Sequence, residues 1–395
     1  MAQSDTNRVS LAYKEETTFG VVPSGNPTFS AIRMTGESLR QETQTTVSQE
    51  IRSDRQITDL VRNGLSAAGD VNFEFSYAAF DELLAIALLA GAGAASAAWS
   101  SVVTISGTDL EAINSDNSFN SSAEDLSTLA RYQWVRVTGF SNAANNGLFK
   151  ITSAPTANKI IVQGSTTLVD ENGVTGEIEM GAQIVNGTQF RSLTIEREYT
   201  DLSNTFEQVL GLAIDQWSMS IASDQLITGS FGFIGSLAQS ASATAGDGSN
   251  DESNNANPIM NGIDNVLFVL EGTNVQDITN MTLQLQNNLR QRLQVGTLGA
   301  ISVGQGAINC SGTLQAYFES STLFDKYLNF TATSLAIAFQ DADGNQYVID
   351  FPRVKLGGGQ RVAGGQNQDV IADLQWTAFR NSDESVTARI ARFAV

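Results

Sequence analysis

The sequence has no histidine and one cysteine, Cys310. Without histidine there is no Ser-His-Asp or Cys-His nucleophile, no imidazole zinc site and no imidazole general base. A single cysteine allows no intrachain disulfide. In its Ile-Asn-Cys-Ser-Gly setting it reads as a small buried hydrophobe on a strand. Basic residues are also scarce, 22 Lys and Arg against 42 Asp and Glu, for a formal charge of −20. Coating or reading nucleic acid relies on cationic contacts to phosphate, so this balance argues against that class. Long apolar runs are missing too. The N-terminus Met-Ala-Gln-Ser-Asp-Thr-Asn-Arg-Val-Ser lacks the apolar stretch of a secretory signal. Residues 83–98 are the only membrane candidate. They fall short of the ~17–25 residues a span needs, and a core helix with a Gly/Ala/Ser exit is expected instead.

What is present organises around Glu37 to Leu89. Val71, Phe73 and Phe75 alternate with Asn72, Glu74 and Ser76, the pattern of a half-buried strand. From Ala79 to Leu89, Phe80, Leu83, Leu84, Ala87 and Leu88 recur at helical spacing. Ahead of them, Gln41 to Gly64 shows no core face and is long for a connection within a compact domain. In and beside it, Arg40, Arg52, Arg55 and Arg62 interleave with Glu42, Glu50, Asp54 and Asp59. An extended ribbon or loop that projects from the body and makes polar protein–protein contacts is expected; a surface loop without a partner is the alternative.

At 395 residues, with 42% hydrophobic and 16% charged residues, the chain is globular and long enough for two or three domains. Short anchors recur in the same order. Leu39-Arg40-Gln41 matches Leu289-Arg290-Gln291, Gly69 with Phe75 matches Gly312 with Phe318, and Phe80-Asp81 matches Phe324-Asp325. Ser192-Leu193 matches Ser334-Leu335, and Gln216-Trp217 matches Gln375-Trp376. On this alignment the second arm is shorter, since Leu39 to Gly69 is 30 residues and Leu289 to Gly312 is 23. Leu84 to Ser192 is 108 residues where Leu328 to Ser334 is 6, a surplus of 108 − 6 = 102. The surplus falls where residues 100–180 read as a β module with their own turn signals. The expected fold is therefore mainly β: two β-sandwich domains in tandem, each with one short helix, the first interrupted by an inserted β module. Its expected limits are 1–98 plus 182–240 for the first domain, 99–181 for the insert, 241–258 for a linker and 259–395 for the second domain.

No catalytic constellation emerges, so no enzymatic activity, cofactor or metal is expected. Asp341-Ala-Asp343-Gly344-Asn345 begins like a calcium loop, but glycine stands at the fourth position and Pro352 occupies the place of the bidentate glutamate. It reads as a hairpin turn. Gly304-Gln305-Gly306 and Gly357-Gly358-Gly359 lack the residues of phosphate loops and read as turns. Glu196 and Glu198 beside Arg191 and Arg197 read as a solvated, charge-balanced strand face.

The run from Ser10 to Leu89 resembles the N-terminal region of major tail tube proteins of long-tailed, non-contractile (siphovirus-type) bacteriophages. The similar features are Glu-x-Thr-Phe-Gly-x-x-Pro (from Glu16), Thr35-Gly-Glu-Ser-Leu39, Ser48-Gln-Glu-Ile-Arg-Ser-Asp-Arg-Gln56, and Gly69-Asp-x-x-Phe-Glu-x-Ser-Tyr77 before a short helix. Trp134 to Thr152 is similar to an accessory β module of such proteins. The resemblance implies a tail-tube sandwich whose inner sheets join between subunits around a channel, with Gln41 to Gly64 as an arm to neighbouring subunits and the adjacent ring. It also implies stacked rings in the virion tail, assembled in the host cytoplasm around a tape-measure protein and meeting tail terminator and distal tail proteins. Genome DNA would pass through the lumen during ejection, without sequence-specific binding or any membrane role. Most members are single-domain and hexameric; two tube domains per chain would give homotrimeric, pseudo-sixfold rings with the insert outside. A secreted or cell-surface β-structural or carbohydrate-binding protein is the alternative, with a carboxylate glycosidase behind it.

Overall fold

A computed structural model describes residues 3–164, 166–251, 256–263, 267–270, 273–275, 278–318, 322–362, 365–367 and 369–395. The N-terminal half opens with β1 (Val9–Glu15), β2 (Phe29–Ala31), β3 (Gly36–Glu37), β4 (Arg40–Val47), β5 (Leu60–Glu74) and α1 (Asp81–Ala87). A six-stranded closed barrel follows: β6 (Val103–Ile113), β7 (Ser118–Asn120), β8 (Trp134–Thr138), β9 (Gly147–Ile151), β10 (Lys159–Gly164) and β11 (Glu171–Met180). The chain returns through β12 (Ala182–Val185), β13 (Leu193–Tyr199), β14 (Phe206–Ala222), β15 (Thr228–Gly235), β16 (Leu237–Ala241) and β17 (Asn250–Asp251). The C-terminal half holds β18 (Leu267–Leu270), β19 (Thr273–Val275), β20 (Ile278–Gln286), β21 (Arg290–Arg292), β22 (Ser302–Gly304), β23 (Asn309–Tyr317), α2 (Thr322–Leu328), β24 (Thr333–Gln340), β25 (Gln346–Val362), β26 (Ile371–Ala378) and β27 (Arg389–Phe393). The protein is mainly β, as the patterning predicts, and the inserted module is a barrel with its own core of Leu110, Phe119, Val137, Phe149, Ile151 and Ile178.

The two halves share one pairing order. In the first, β5 pairs β15, β15 pairs β14 and β14 pairs β13; in the second, β23 pairs β26, β26 pairs β25 and β25 pairs β24, all antiparallel. Even the irregularities correspond. The β14–β15 register breaks between Ile214 and Gln216, opposite Phe233 and Gly232; the β25–β26 register breaks between Leu356 and Gly358, opposite Trp376 and Gln375. Gly69 stands opposite Phe233 and Gly312 opposite Trp376, so the Gly69–Gly312 anchor marks equivalent positions.

Strand pairing corrects three of the other anchors. Gln216-Trp217 lies on β14 and Gln375-Trp376 on β26, which are not equivalent strands. The register break in β13 at Leu193 corresponds to that in β24 at Thr333, not Leu335. Leu39 packs against Gly69 while Leu283, not Leu289, pairs with Gly312. The two arms are therefore nearly equal, 30 residues from Leu39 to Gly69 and 29 from Leu283 to Gly312. Short identities mislead here because alternating strands reuse the same few residue types.

The halves are not separate beads. The second half of β14 (216–222) pairs β20 over seven residues, so a single sheet runs through both. Behind it, one hydrophobic core carries Phe73, Phe231 and Trp217 with Ile337, Phe351 and Trp376. Phe75 meets Phe339 and Tyr347 edge-on, each with centroids 5.3 Å apart, an arrangement worth about 0.5–1.5 kcal/mol per pair beyond burial. Tyr347 Oη also bonds the Asp81 carboxylate at the start of α1, and Asn287 Nδ2 donates to Ala87 O at its end (2.8 Å). Residues 83–98 are the core helix and exit expected of them: Leu83, Leu84 and Ile86 are fully buried, and no helix among the described residues is long and apolar enough to cross a membrane.

Other expectations need correction. Glu196 and Arg197 do not face solvent: Glu196 is buried and accepts from Gln208 Nε2 and Ala245 N at 2.8 Å, and Arg197 is held between Glu37 and Glu207. Gly357-Gly358-Gly359 lies within β25, not in a turn. Residues 252–255 of the expected linker lie outside the described residues. The part before them is tethered, with Thr28 Oγ1 donating to Asp247 at 2.6 Å and β17 pairing β2 in parallel. Asp341 does close a hairpin turn, its carboxylate accepting from Asp343 N and Asn345 N at 3.0 and 2.9 Å.

The Glu16-x-Thr-Phe-Gly20 motif acquires a physical reason. The Glu16 carboxylate is buried and takes four donors: Gly20 N (2.8 Å), Ser192 Oγ (2.6 Å), Thr194 Oγ1 (2.9 Å) and Gly211 N (2.8 Å). It ties the N-terminal loop to β13 and β14. Gly211 has φ +66°, and a Cβ there would meet Phe19 at 2.9 Å, so the loop and the strand fit only with glycine. Removing the carboxylate strands buried donors. Glu16→Ala should therefore lower stability by about 3 kcal/mol or more in urea unfolding; a loss below ~1 kcal/mol would contradict this role.

Candidate functional site

Three surfaces carry the functional argument, and the first is a groove. The joined sheet turns Trp217, Met219, Leu283, Leu285, Leu314 and Trp376 inward to the core. Strand alternation then forces the intervening residues to the opposite face. One row crosses seven strands: Asn72, Ser230, Ser218, Gln284, Ser311, Thr377 and Lys355 stand in register on β5, β15, β14, β20, β23, β26 and β25. The next row is Glu74, Thr228, Ser220, Thr282, Thr313 and Gln375. All of these but Ser230 and Lys355 line an open groove. Hydroxyls and amides dominate it, and Glu74 is the one charged residue that lines it; Asp70, Asp373 and Lys355 stand further along the same strands, outside the groove lining. The bulk of the −20 charge therefore lies elsewhere on the surface. Sequence alternation located the strands but not which polar residues share a face.

The second surface is the arm. Over residues 40–68, β4 pairs the first half of β5 as a two-stranded ribbon, and all eight residues of β4 are exposed. The interleaved charges are found together on it. Arg40 pairs Glu42 at 2.7 Å and Arg52 pairs Asp54 at 3.1 Å. The Arg52 guanidinium holds the Asp54 carboxyl below the usual carboxylate range, a surface pairing of little consequence for stability. Asp59 Oδ1 accepts from Leu60 N, and Arg55 turns the tip with φ +60°. Glu50 and Arg62 are exposed, Arg62 standing opposite Thr45. Charge alone did not reveal the arm's exposed apolar residues: Ile51 is 99% exposed and Ile57 72%, with Val47, Leu60 and Val61 also open. The second arm, 287–308, folds back as the β21–β22 hairpin, and Leu65 N donates to Leu298 O (2.7 Å) at the base of the first.

The third surface is the seam with the barrel. Trp134 and Leu148 pack with Ala336, Ala338, Val348 and Phe393, on the face of β24, β25 and β27 that points away from the main core. A buried charge cluster closes it: Lys150 Nζ lies 2.8 Å from both Asp350 and Glu384, and Arg389 lies 3.1 and 2.7 Å from the same two.

Among the described residues, the first two of these surfaces are open and polar and the third joins the barrel to the body of the same chain. A family model described as phage tail tube protein matches residues 6–378. The chain belongs to the phage tail tube family. No curated protein sequence matches it. The tube family is structural, and membership makes this chain a self-assembling component of a virion tail, in line with the resemblance read from Ser10 to Leu89 and away from the secreted alternative.

Cys310 is unavailable in the tail tube subunit. It is fully buried opposite Leu285 and Ala378, and burial pushes its thiol up to about 12. Folded protein at pH 8 should leave a thiol reagent such as DTNB unreacted, with one equivalent released on denaturation. Release at a rate independent of unfolding would contradict the burial.

Proposed function

We propose that this protein builds the tail tube of a long, non-contractile phage tail as two tandem tube units per chain, the first interrupted by the barrel. The units are those expected, 1–98 with 182–240 and 259–395, the barrel occupying 99–181. The observation that carries the reading is the continuous sheet whose polar, sparsely charged groove spans both halves, in a chain of the tail tube family. Three chains, six units, close a pseudo-sixfold ring with the groove facing the lumen, and rings stack around a tape-measure protein between distal tail and terminator proteins. Assembly takes place in the host cytoplasm.

A lumen of hydroxyls and amides suits DNA in transit. Few cations are present to hold phosphates, and sparse carboxylates at Asp70, Glu74 and Asp373 repel them. The chain is then a conduit for ejection without sequence preference. The barrel sits outside, because its seam lies on the outer layer of the second half, away from the groove.

The arm stacks rings. An isolated two-stranded ribbon is marginal in water, and this one exposes Ile51, Ile57 and Leu60 beside Arg40, Glu42, Glu50, Arg52, Asp54, Arg55, Asp59 and Arg62. Such a ribbon gains order when a neighbouring ring covers these apolar side chains. Deleting Thr43 to Asp59 should leave the circular dichroism and melting of the body close to wild type while abolishing tubes in negative-stain electron microscopy. Tubes of normal length from the deleted protein would assign the arm another role.

A further inference from the structure

The barrel and the body meet along the seam, but they do not meet everywhere. On the body side the row that faces the barrel is Ser334, Ala336 and Ala338 of β24, beside Val348, Asp350 and Pro352 of β25. On the barrel side Trp134 of β8 stands opposite Lys150 of β9, with Leu148 next in the same row. Leu148 and Phe393 fill one end of the contact. Toward Ser334 the body's side chains are small, and a cavity of about 200 Å³ remains. Tyr132, Trp134 and Lys150 of the barrel line it on one side, and Ser334, Asp350 and Glu384 of the body on the other.

Its walls differ from those of a packing void. Voids between apolar faces are lined by apolar atoms and stay dry. Here the charge cluster of the seam forms part of the lining, and two buried polar groups beside it lack partners. Trp134 is 3% exposed, and its Nε1 donates to nothing among the described residues. Thr333 Oγ1 is likewise buried and unpartnered. It borders a shallower hollow that shares Gln163, Ser334 and Pro352 with the cavity, which gives the cavity a mouth.

We propose that this cavity binds a single neutral sugar ring, held between the barrel and the body. The proposal goes beyond the tube reading and does not depend on it. Charge selects against an ion. Lys150 and Arg389 are matched by Asp350 and Glu384, all four paired with one another, so a charged ligand would have to break a buried pair. Hydrogen bonding selects for hydroxyls. Lys150 spends two of its three N–H donors on the cluster, and the cluster's bonds to Asp350 fall on Oδ2, leaving Oδ1 to accept. With Ser334 Oγ and Trp134 Nε1 these groups mix donors and acceptors, which suits a ring whose every hydroxyl both donates and accepts. The rings of Tyr132 and Trp134 offer apolar surface for the C–H face of a sugar.

Each wall belongs to a different folding unit, so the site exists only while the barrel is docked. A bound sugar then adds its binding free energy to the seam by mass action.

Fluorine NMR of the full chain labelled with 5-fluorotryptophan tests this. The chain has four tryptophans, and Trp134→Phe identifies the reporting signal. D-glucose, D-galactose, D-mannose and N-acetyl-D-glucosamine are titrated separately. At least one should move the Trp134 signal saturably, with a dissociation constant on the order of millimolar, and raise the melting temperature. Ser334→Tyr, which fills the cavity from the body side, should weaken that binding at least tenfold. Gln163→Trp, placed at the exposed mouth on the barrel side, should do the same, so a folding defect in either variant is checked by the other. A Trp134 signal that none of the four sugars moves would overturn the proposal, as would a shift that glycerol reproduces or that both substitutions leave intact. Tighter binding of D-glucuronate or inorganic phosphate would overturn the neutral-sugar assignment.

Discussion

The antiparallel pairing of β14 with β20 is the constraint on which the rest of the structure depends. Seven consecutive residue pairs, Gln216–Gln286 to Ala222–Asn280, turn two half-sheets into one surface. Each backbone hydrogen bond contributes only about 0.5–1.5 kcal/mol net, but the geometric consequence is larger. With β20 held against β14, Trp217 and Leu285 must share one face with Phe231 and Trp376, and Ser218 and Gln284 must share the other. A slip of one residue would exchange the core for the groove. The shared core behind the joint makes such a slip costly, since it would expose side chains each worth about 1.5–3 kcal/mol when buried.

This arrangement explains why a chain so acidic has a groove so nearly neutral. Core and groove residues alternate along the same strands, so the groove inherits the small and medium polar residues that β-strands tolerate between large apolar ones. The carboxylates are placed elsewhere or used internally. Glu16 and Glu196 are consumed as buried acceptors for backbone and hydroxyl donors, Asp350 and Glu384 hold the barrel through Lys150 and Arg389, and Asp81 anchors Tyr347 across the two halves. Net charge from composition describes solubility; it does not describe the surface a ligand meets.

Much of the fold was legible in the sequence because its signals are local. Alternation at Val71, Phe73 and Phe75 marked a strand, helical spacing marked α1, and turn clusters bracketed an insert whose barrel spans Val103 to Met180. The arm was visible as a polar run too long for a connection. What stayed hidden depends on pairing between distant residues. Glu196 looked solvated because a strand read alone does not show that residues 244–245 fold over it. The second arm looked short because Leu289-Arg290-Gln291 repeats the letters of Leu39-Arg40-Gln41 six residues away from the position that pairs with Gly312. Ile51 and Ile57, dispersed among charges, gave no periodic signal, yet they are among the most exposed large apolar residues of the arm.

If the two halves stand side by side as equivalent units, each chain brings two units and one barrel to the ring, and the barrel breaks the symmetry that the inner sheet keeps. A transverse section of the assembled tube by cryo-electron microscopy measures this most directly. Six near-equivalent inner units carrying three outer barrels, one on every second unit, is the result the account predicts. A ring with one barrel on every inner unit, or with the two halves of a chain in different rings along the axis, would contradict it.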